Sequence, residues 1–262
     1  MKVKKIKIND AKAEIYSFFS KEEFLESKSY LEVMGFKNEE DFNNLLGKLV
    51  SIDGLGINEG AILKVQQIIE DTLNLCWKVL KTENIKIFMF GTKDEFITSK
   101  MGGSSGFCTN KECLLLLINL KTFTEVTLKN TLAHELAHAI NSYYDMGNMS
   151  IGQGIVFDGL AENFREDLID KKKSAIVSTI KEGEIMPLFN KIRLNINSVN
   201  HKDYYEVFYG TGKYPLWTGY ALGYYLIKNY ISEIGNKGWE YLLRENPKII
   251  LSRICKKNKQ SI

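Results

Sequence analysis

The sequence predicts an α+β fold on three observations. Two short apolar runs, Asn84–Phe90 and Cys113–Ile118, have strand length and strand composition. The stretch between Thr131 and Ile140 has a strong helical period, and residues from about 151 to the C-terminus carry apolar positions at helical spacing. The expected architecture is a small mixed sheet packed on the helix that contains Thr131–Ile140, with a mostly helical C-terminal part. At 262 residues, with 44% apolar and 26% charged residues, the chain has the composition of a globular protein able to bury a sizeable core.

In chain order, residues 1–60 read as mostly helical. Ala11–Ser20 and Glu22–Met34 carry apolar residues at helical spacing, and Glu39–Leu49 follows the break at Gly35. Gly54, Gly56 and Gly60 punctuate a turn before a long helix from Ala61 to Leu80, whose apolar face is Ile62, Val65, Ile68, Ile69, Leu73 and Trp77. The first strand is closed by Gly91, and Met101–Gly106 reads as a flexible, turn-rich stretch before the second strand. Thr124 or Thr127 caps the next helix. A loop over 145–154 leads to a further helix at Ile155–Phe164, and Pro187, Pro215 and Pro247 each fall at or near a helix start. No Pro-rich linker or repeat interrupts the chain, so residues 1–83 are expected as a helical N-terminal region without independence, and residues 84–262 as the main domain.

Composition excludes several classes. A formal charge of +3, with short basic clusters at Lys2–Lys7, Lys171–Lys173 and Lys256–Lys257, is too small to argue for nucleic acid. No apolar run has secretory or membrane-spanning length. The four cysteines lack the spacing of a zinc ribbon or redox pair. Cys108 and Cys113 could close a small hairpin disulfide, but without an export segment reduced thiols in the cytoplasm are the expectation.

Chemistry concentrates at His134-Glu135-Leu136-Ala137-His138, which holds two of the three histidines. At roughly 100° per residue the two imidazoles project about 40° apart, one turn above the other, so both can reach one metal ion. Leu132, Ala133, Leu136, Ala137, Ala139, Ile140 and Tyr143 form the opposing apolar arc. A catalytic zinc needs a third protein ligand and an open position. The following helix offers Asp158, Glu162 and Glu166, stacked one turn apart.

Together these stretches resemble a gluzincin-type zinc metallopeptidase, and more closely an uncharacterised bacterial family of predicted zinc-dependent proteases. The resemblance spans roughly residues 84–232. It rests on Gly102-Gly103-Ser104-Ser105-Gly106-Phe107, His134–His138, Asp158-Gly159-Leu160-Ala161-Glu162 and Pro215-Leu216-Trp217-Thr218-Gly219-Tyr220, in that order. It implies a zincin-like fold for residues 84–262, one Zn2+ ion and hydrolysis of a peptide or protein substrate by a metal-activated water. Glu135 is then the general base, and His134, His138 and Asp158 are the ligands. The resemblance also implies that Gly103, Ser104, Ser105, Gly106 and Trp217 contact substrate, and that Tyr220 is the second donor to the oxyanion, with His201 the weaker candidate. The family has Glu where this chain has Asp158, one methylene shorter. Glu162 is either a support for a ligand histidine or the ligand itself. The alternative function is a catalytically inactive zinc- or peptide-binding module. The sequence does not specify an oligomeric state.

Overall fold

The computed structural model describes residues 2–8, 11–51, 59–81, 84–235 and 237–257, so Gly54 and Gly56 lie outside the described residues. The chain is mixed α+β and divides into two compact units, Met1–Ala139 and Ile140–Ile262. No helix among the described residues is long and apolar enough to cross a membrane.

The first unit is built on a five-stranded sheet of β1 (Lys2–Ile8), β2 (Ala11–Phe18), β3 (Ile85–Gly91), β4 (Ser104–Asn110) and β5 (Cys113–Ile118). The strand order is β1-β2-β3-β5-β4. β1 and β2 pair antiparallel, β2–β3 and β3–β5 are parallel, and β5–β4 is antiparallel. The expected helix over 11–20 is thus a strand, and the turn-rich segment at 101–106 runs into a strand at Ser104. The two corrections have different causes. β2 is buried on both faces, so Ala13, Ile15, Tyr16 and Phe18 show no two-residue alternation, and β4 is Gly- and Ser-rich, with little strand propensity of its own.

Register divides the sheet into two buried faces. On one, Tyr16, Phe18, Phe88, Phe90, Leu115 and Leu117 form an aromatic-rich core with Met34 and Phe42. Phe42 ends α2 (Glu39–Phe42), which continues into a π-helical turn, and Phe24 of α1 (Lys21–Ser27) stacks on Phe42 at 5.6 Å. On the other face lies α3 (Glu59–Cys76), where Gln66 Nε2 donates to Ser17 Oγ at 3.1 Å. Between β3 and β4 runs α4 (Glu95–Lys100), and after β5 comes α5 (Glu125–Ile140), the helix of the two histidines. Thr124 caps α5: its Oγ1 accepts from Thr127 N–H at 3.1 Å, and Thr127 Oγ1 accepts from Thr124 N–H at 3.0 Å. The helix stops at Ile140, so Tyr143 leaves the expected apolar arc and is exposed.

The second unit comprises α6 (Ile151–Arg165), α7 (Glu182–Ile192), α8 (His201–Tyr209), α9 (Thr218–Ile234), α10 (Trp239–Arg244) and α11 (Pro247–Lys257). Ser150 caps α6 reciprocally with Gln153, which starts the helix four residues earlier than its apolar period indicates. Pro247 opens α11 and Pro215 lies three residues before α9, but Pro187 sits inside α7. α6 is buried nearly all round, Asp158 and Glu162 included, so the acid row is not a solvated face. The reason is backbone contact with α9. A Cβ on Gly159 would lie 2.3 Å from the carbonyl oxygen of Gly223, and one on Gly223 would lie 2.3 Å from that of Ile155. Asn163 closes the same seam, its Nδ2 donating to the carbonyls of Gly159 (2.8 Å) and Tyr224 (3.0 Å).

A methyl group at Gly159 meets backbone that cannot rotate away. Gly159→Ala is expected to lose about 1–3 kcal/mol in urea unfolding. Gly183→Ala, whose added carbon meets nothing within 4 Å, is expected to unfold no earlier than the wild type.

Candidate metal centre

α5 presents the histidine pair as its spacing requires. Nε2 of His138 lies 3.1 Å from Nε2 of His134, with ring centroids 4.8 Å apart and planes at 82°. His138 is buried and His134 half-buried. Glu135, 8% exposed, leans onto β4, where a Cβ on Gly106 would lie 2.5 Å from Glu135 Cγ. Only a glycine there lets the carboxylate side chain lie flat on the strand.

This contact is one rung of a seam along β4 and α5. Thr127 Oγ1 donates to the carbonyl of Gly102 at 3.0 Å, and Ser104 Oγ lies 3.0 Å from Thr131 Oγ1. Gly102, Ser104 and Gly106 thus meet Thr127, Thr131 and Glu135. Two strand residues advance about 6.6 Å and four helix residues about 6 Å, so the two elements stay in step over these rungs. Gly102 and Gly103 have positive φ, 67° and 84°, which turns the chain into β4.

The Gly103 carbonyl accepts from Asn119 N–H at 2.9 Å. By antiparallel alternation, Gly103, Ser105 and Phe107 pair with β5 through their main chains, while Ser104, Gly106 and Cys108 turn theirs to the opposite edge. Among the described residues no strand pairs with that edge. The Ser105 and Phe107 side chains face the other side of the sheet, where Phe107 packs on the aromatic core.

On α6, Asp158 is 6% exposed and Glu162 3% exposed. Glu162 Oε2 accepts from Arg165 Nε (3.1 Å), Arg165 Nη2 (3.0 Å) and Ser174 Oγ (2.8 Å). Glu166, the third acid of the row, pairs with Lys228 at 3.0 Å. His134 and His138 each offer an imidazole nitrogen, and Asp158 a carboxylate oxygen, as possible ligand atoms for a metal ion.

Tyr220 is half-buried in the first turn of α9, its ring edge against Phe208 at 5.5 Å. Trp217, before that turn, is buried and left-handed at φ 65°, a strained setting for a bulky residue; its N–H donates to the Phe208 carbonyl at 3.1 Å. His201 is the exposed first residue of α8.

Two residues escaped the sequence reading. Tyr204 stacks on Phe208 at 4.2 Å and presses on Gly154, one turn before Asp158. Burial, and then the Asp158 charge, push its phenol well above the usual tyrosine range, so it stays protonated at neutral pH. Its trace in the sequence was a bare i, i+4 aromatic pair. Arg165 is the other, marked only by a cation three residues after Glu162.

With this geometry in view, the sequence pattern of a family described as predicted Zn-dependent protease matches residues 65–252, more than half of the chain. The chain belongs to that family. Neither a curated protein nor a solved structure matches it. The matched span takes in β3, β4, β5 and helices α4 to α10, and leaves β1, β2 and α1 outside.

Cys108 lies on the α5 side of β4, whereas Cys113 faces the aromatic core, so the hairpin disulfide does not form and both are free thiols. Burial pushes Cys76 and Cys113 up to about 12; burial and then the charge of Glu135 push Cys108 well above its ordinary value. At pH 8 these three buried thiols are expected to resist Ellman's reagent in the folded protein and to react once guanidinium unfolds it. Rapid native labelling of Cys108 would contradict its placement under Glu135.

Proposed function

We propose that the protein is a zinc-dependent peptidase with a zincin-like site of gluzincin type, acting on peptide or protein substrates in the cytoplasm. The observation that carries this reading is the imidazole pair. Tetrahedral zinc with bonds of about 2.0–2.1 Å separates two nitrogen ligands by about 3.3 Å, and the two Nε2 atoms already stand 3.1 Å apart. The donor set of two imidazoles and one carboxylate suits zinc, with His134, His138 and Asp158 as its ligands.

Bound there, one zinc ion would supply a Lewis acid for the substrate carbonyl and a water acidic near neutral pH. Glu135, held on the bare backbone of Gly106, would take the proton from that water and deliver it to the departing amine. Tyr220 would donate a hydrogen bond to the developing oxyanion. An extended peptide would pair with the outward edge of β4 through the main chains of Ser104 and Gly106, placing it beside Glu135 without reading its sequence. Gly103 and Ser105 would hold that edge by pairing with β5, and Trp217 would contact the peptide. The small net charge gives no reason to expect nucleic acid as a partner.

The test is a peptide-library digest by zinc-reconstituted protein. Wild type is expected to cleave, to lose activity on chelation and to regain it with zinc. Glu135→Gln should retain zinc and fall by about 10²–10⁴ in rate. Equal turnover by the two proteins would overturn the assignment and leave a zinc- or peptide-binding module.

A further inference from the structure

We propose that, apart from any chemistry at the metal, the loop between α7 and α8 rests on an anionic lipid surface. Leu194 and Val199 enter the headgroup layer, and the cations beside them pair with lipid phosphates and carboxylates. Leu194 is 81% exposed and Val199 65%, more than any other large apolar side chain among the described residues. Single exposed apolar residues are ordinary on a protein surface. Here the two extremes share one short loop.

That loop is pinned, so the two side chains are held out rather than left loose. Gly152 N–H donates to the Ile196 carbonyl at 2.8 Å, and Ile151 N–H to that of Ser198 at 3.0 Å. Ile196 itself is buried, and a Cβ on Gly152 would lie 2.7 Å from its Cγ1. Asn200 caps α8 by accepting from Lys202 N–H at 2.8 Å, and Ser198 Oγ donates to Asp203 at 2.6 Å. The residue before a helix cap often folds back onto the fourth helical residue, here Tyr204, but Val199 stays out. The loop therefore spends Ile196 on its own packing and leaves Leu194 and Val199 to solvent.

Its charge has one sign. Residues 185–202 contain Lys191, Arg193 and Lys202 and no acid. α7 runs on into a 3-10 turn at Arg193–Asn195, so the exposed Lys191 and Leu194, three residues apart, share a face. Lys202 is exposed three residues after Val199. Further along α8, Tyr205 is 51% exposed, and tyrosine is a side chain that settles at headgroup level.

Separate apolar tips offer a protein partner little area to match, whereas a fluid interface closes around any shape. Apolar insertion alone gives only marginal membrane binding, and adjoining cations make it firmer. The anionic leaflet that faces the cytoplasm carries the complementary charge.

The experiment floats the full-length protein with phosphatidylcholine vesicles and with vesicles that also contain phosphatidylserine. Wild type is expected to float with the anionic vesicles alone and to be released by high salt. The Leu194→Ser/Val199→Ser double variant should bind at least about tenfold more weakly. Lys191→Gln and Lys202→Gln should each cost roughly fivefold. Lys171→Gln, beyond the opposite end of α6 from Gly152, should bind as wild type. Both serine substitutions lie outside the core and are expected to fold; the lysine variants carry the test if they do not.

The lipid assignment is overturned if wild type floats with neither vesicle, or if the double serine variant floats as wild type does. It falls equally if Lys171→Gln weakens binding as much as Lys191→Gln, which would mean diffuse charge alone. A wild-type dimer that the double variant dissolves, with no vesicle binding, would make the loop an interface between copies instead.

Discussion

Close approach at glycine is the constraint on which both units rest. Gly106 lets β4 run against α5 with the Glu135 side chain lying on the strand, and Gly159 with Gly223 lets α6 and α9 touch backbone to backbone. In each case the glycine stands beside an acid that the proposed chemistry uses: Glu135 over Gly106, Asp158 next to Gly159. A side chain at either position would push away the element whose approach buries that acid. These glycines set distance rather than supply flexibility; neither has a positive φ.

Burying Asp158, Glu162 and Arg165 on one helix is costly unless every charge is compensated. Arg165 meets that demand by serving Glu162, Asp170 and a backbone carbonyl at once. Such a network is a poor source of stability relative to an apolar replacement, whereas removing one partner would leave an uncompensated buried charge.

Much of this could be read from the residues, and the failures have physical causes. α5 was legible because its period is sustained from Leu128 to Ile140 and a threonine caps it. β5 was legible because a strand buried on both faces reads as an unbroken apolar run. The same double burial hid β2, since Ala13, Ile15, Tyr16 and Phe18 fit a helix as well as a strand. β4 carries no strand signal in Ser104-Ser105-Gly106; pairing with β5 and the rungs to Thr127 and Thr131 make it one. Histidine spacing marked the paired imidazoles of α5, but the burial of α6 on all sides came from a glycine contact with a helix some sixty residues away, which no local pattern records. The Arg165–Glu162–Ser174 arrangement depends on a left-handed Lys171, a conformation its residue type does not favour.

The proposed chemistry turns on a zinc ion held by His134, His138 and Asp158. A crystal of the zinc-loaded protein, with anomalous data collected on either side of the zinc absorption edge, tests it most directly. The predicted result is one anomalous peak about 2.0–2.2 Å from a nitrogen of His134, a nitrogen of His138 and one carboxylate oxygen of Asp158, with Glu162 still on the Arg165 fork. A peak bonded to Glu162 in place of Asp158, or away from the histidine pair, would contradict it.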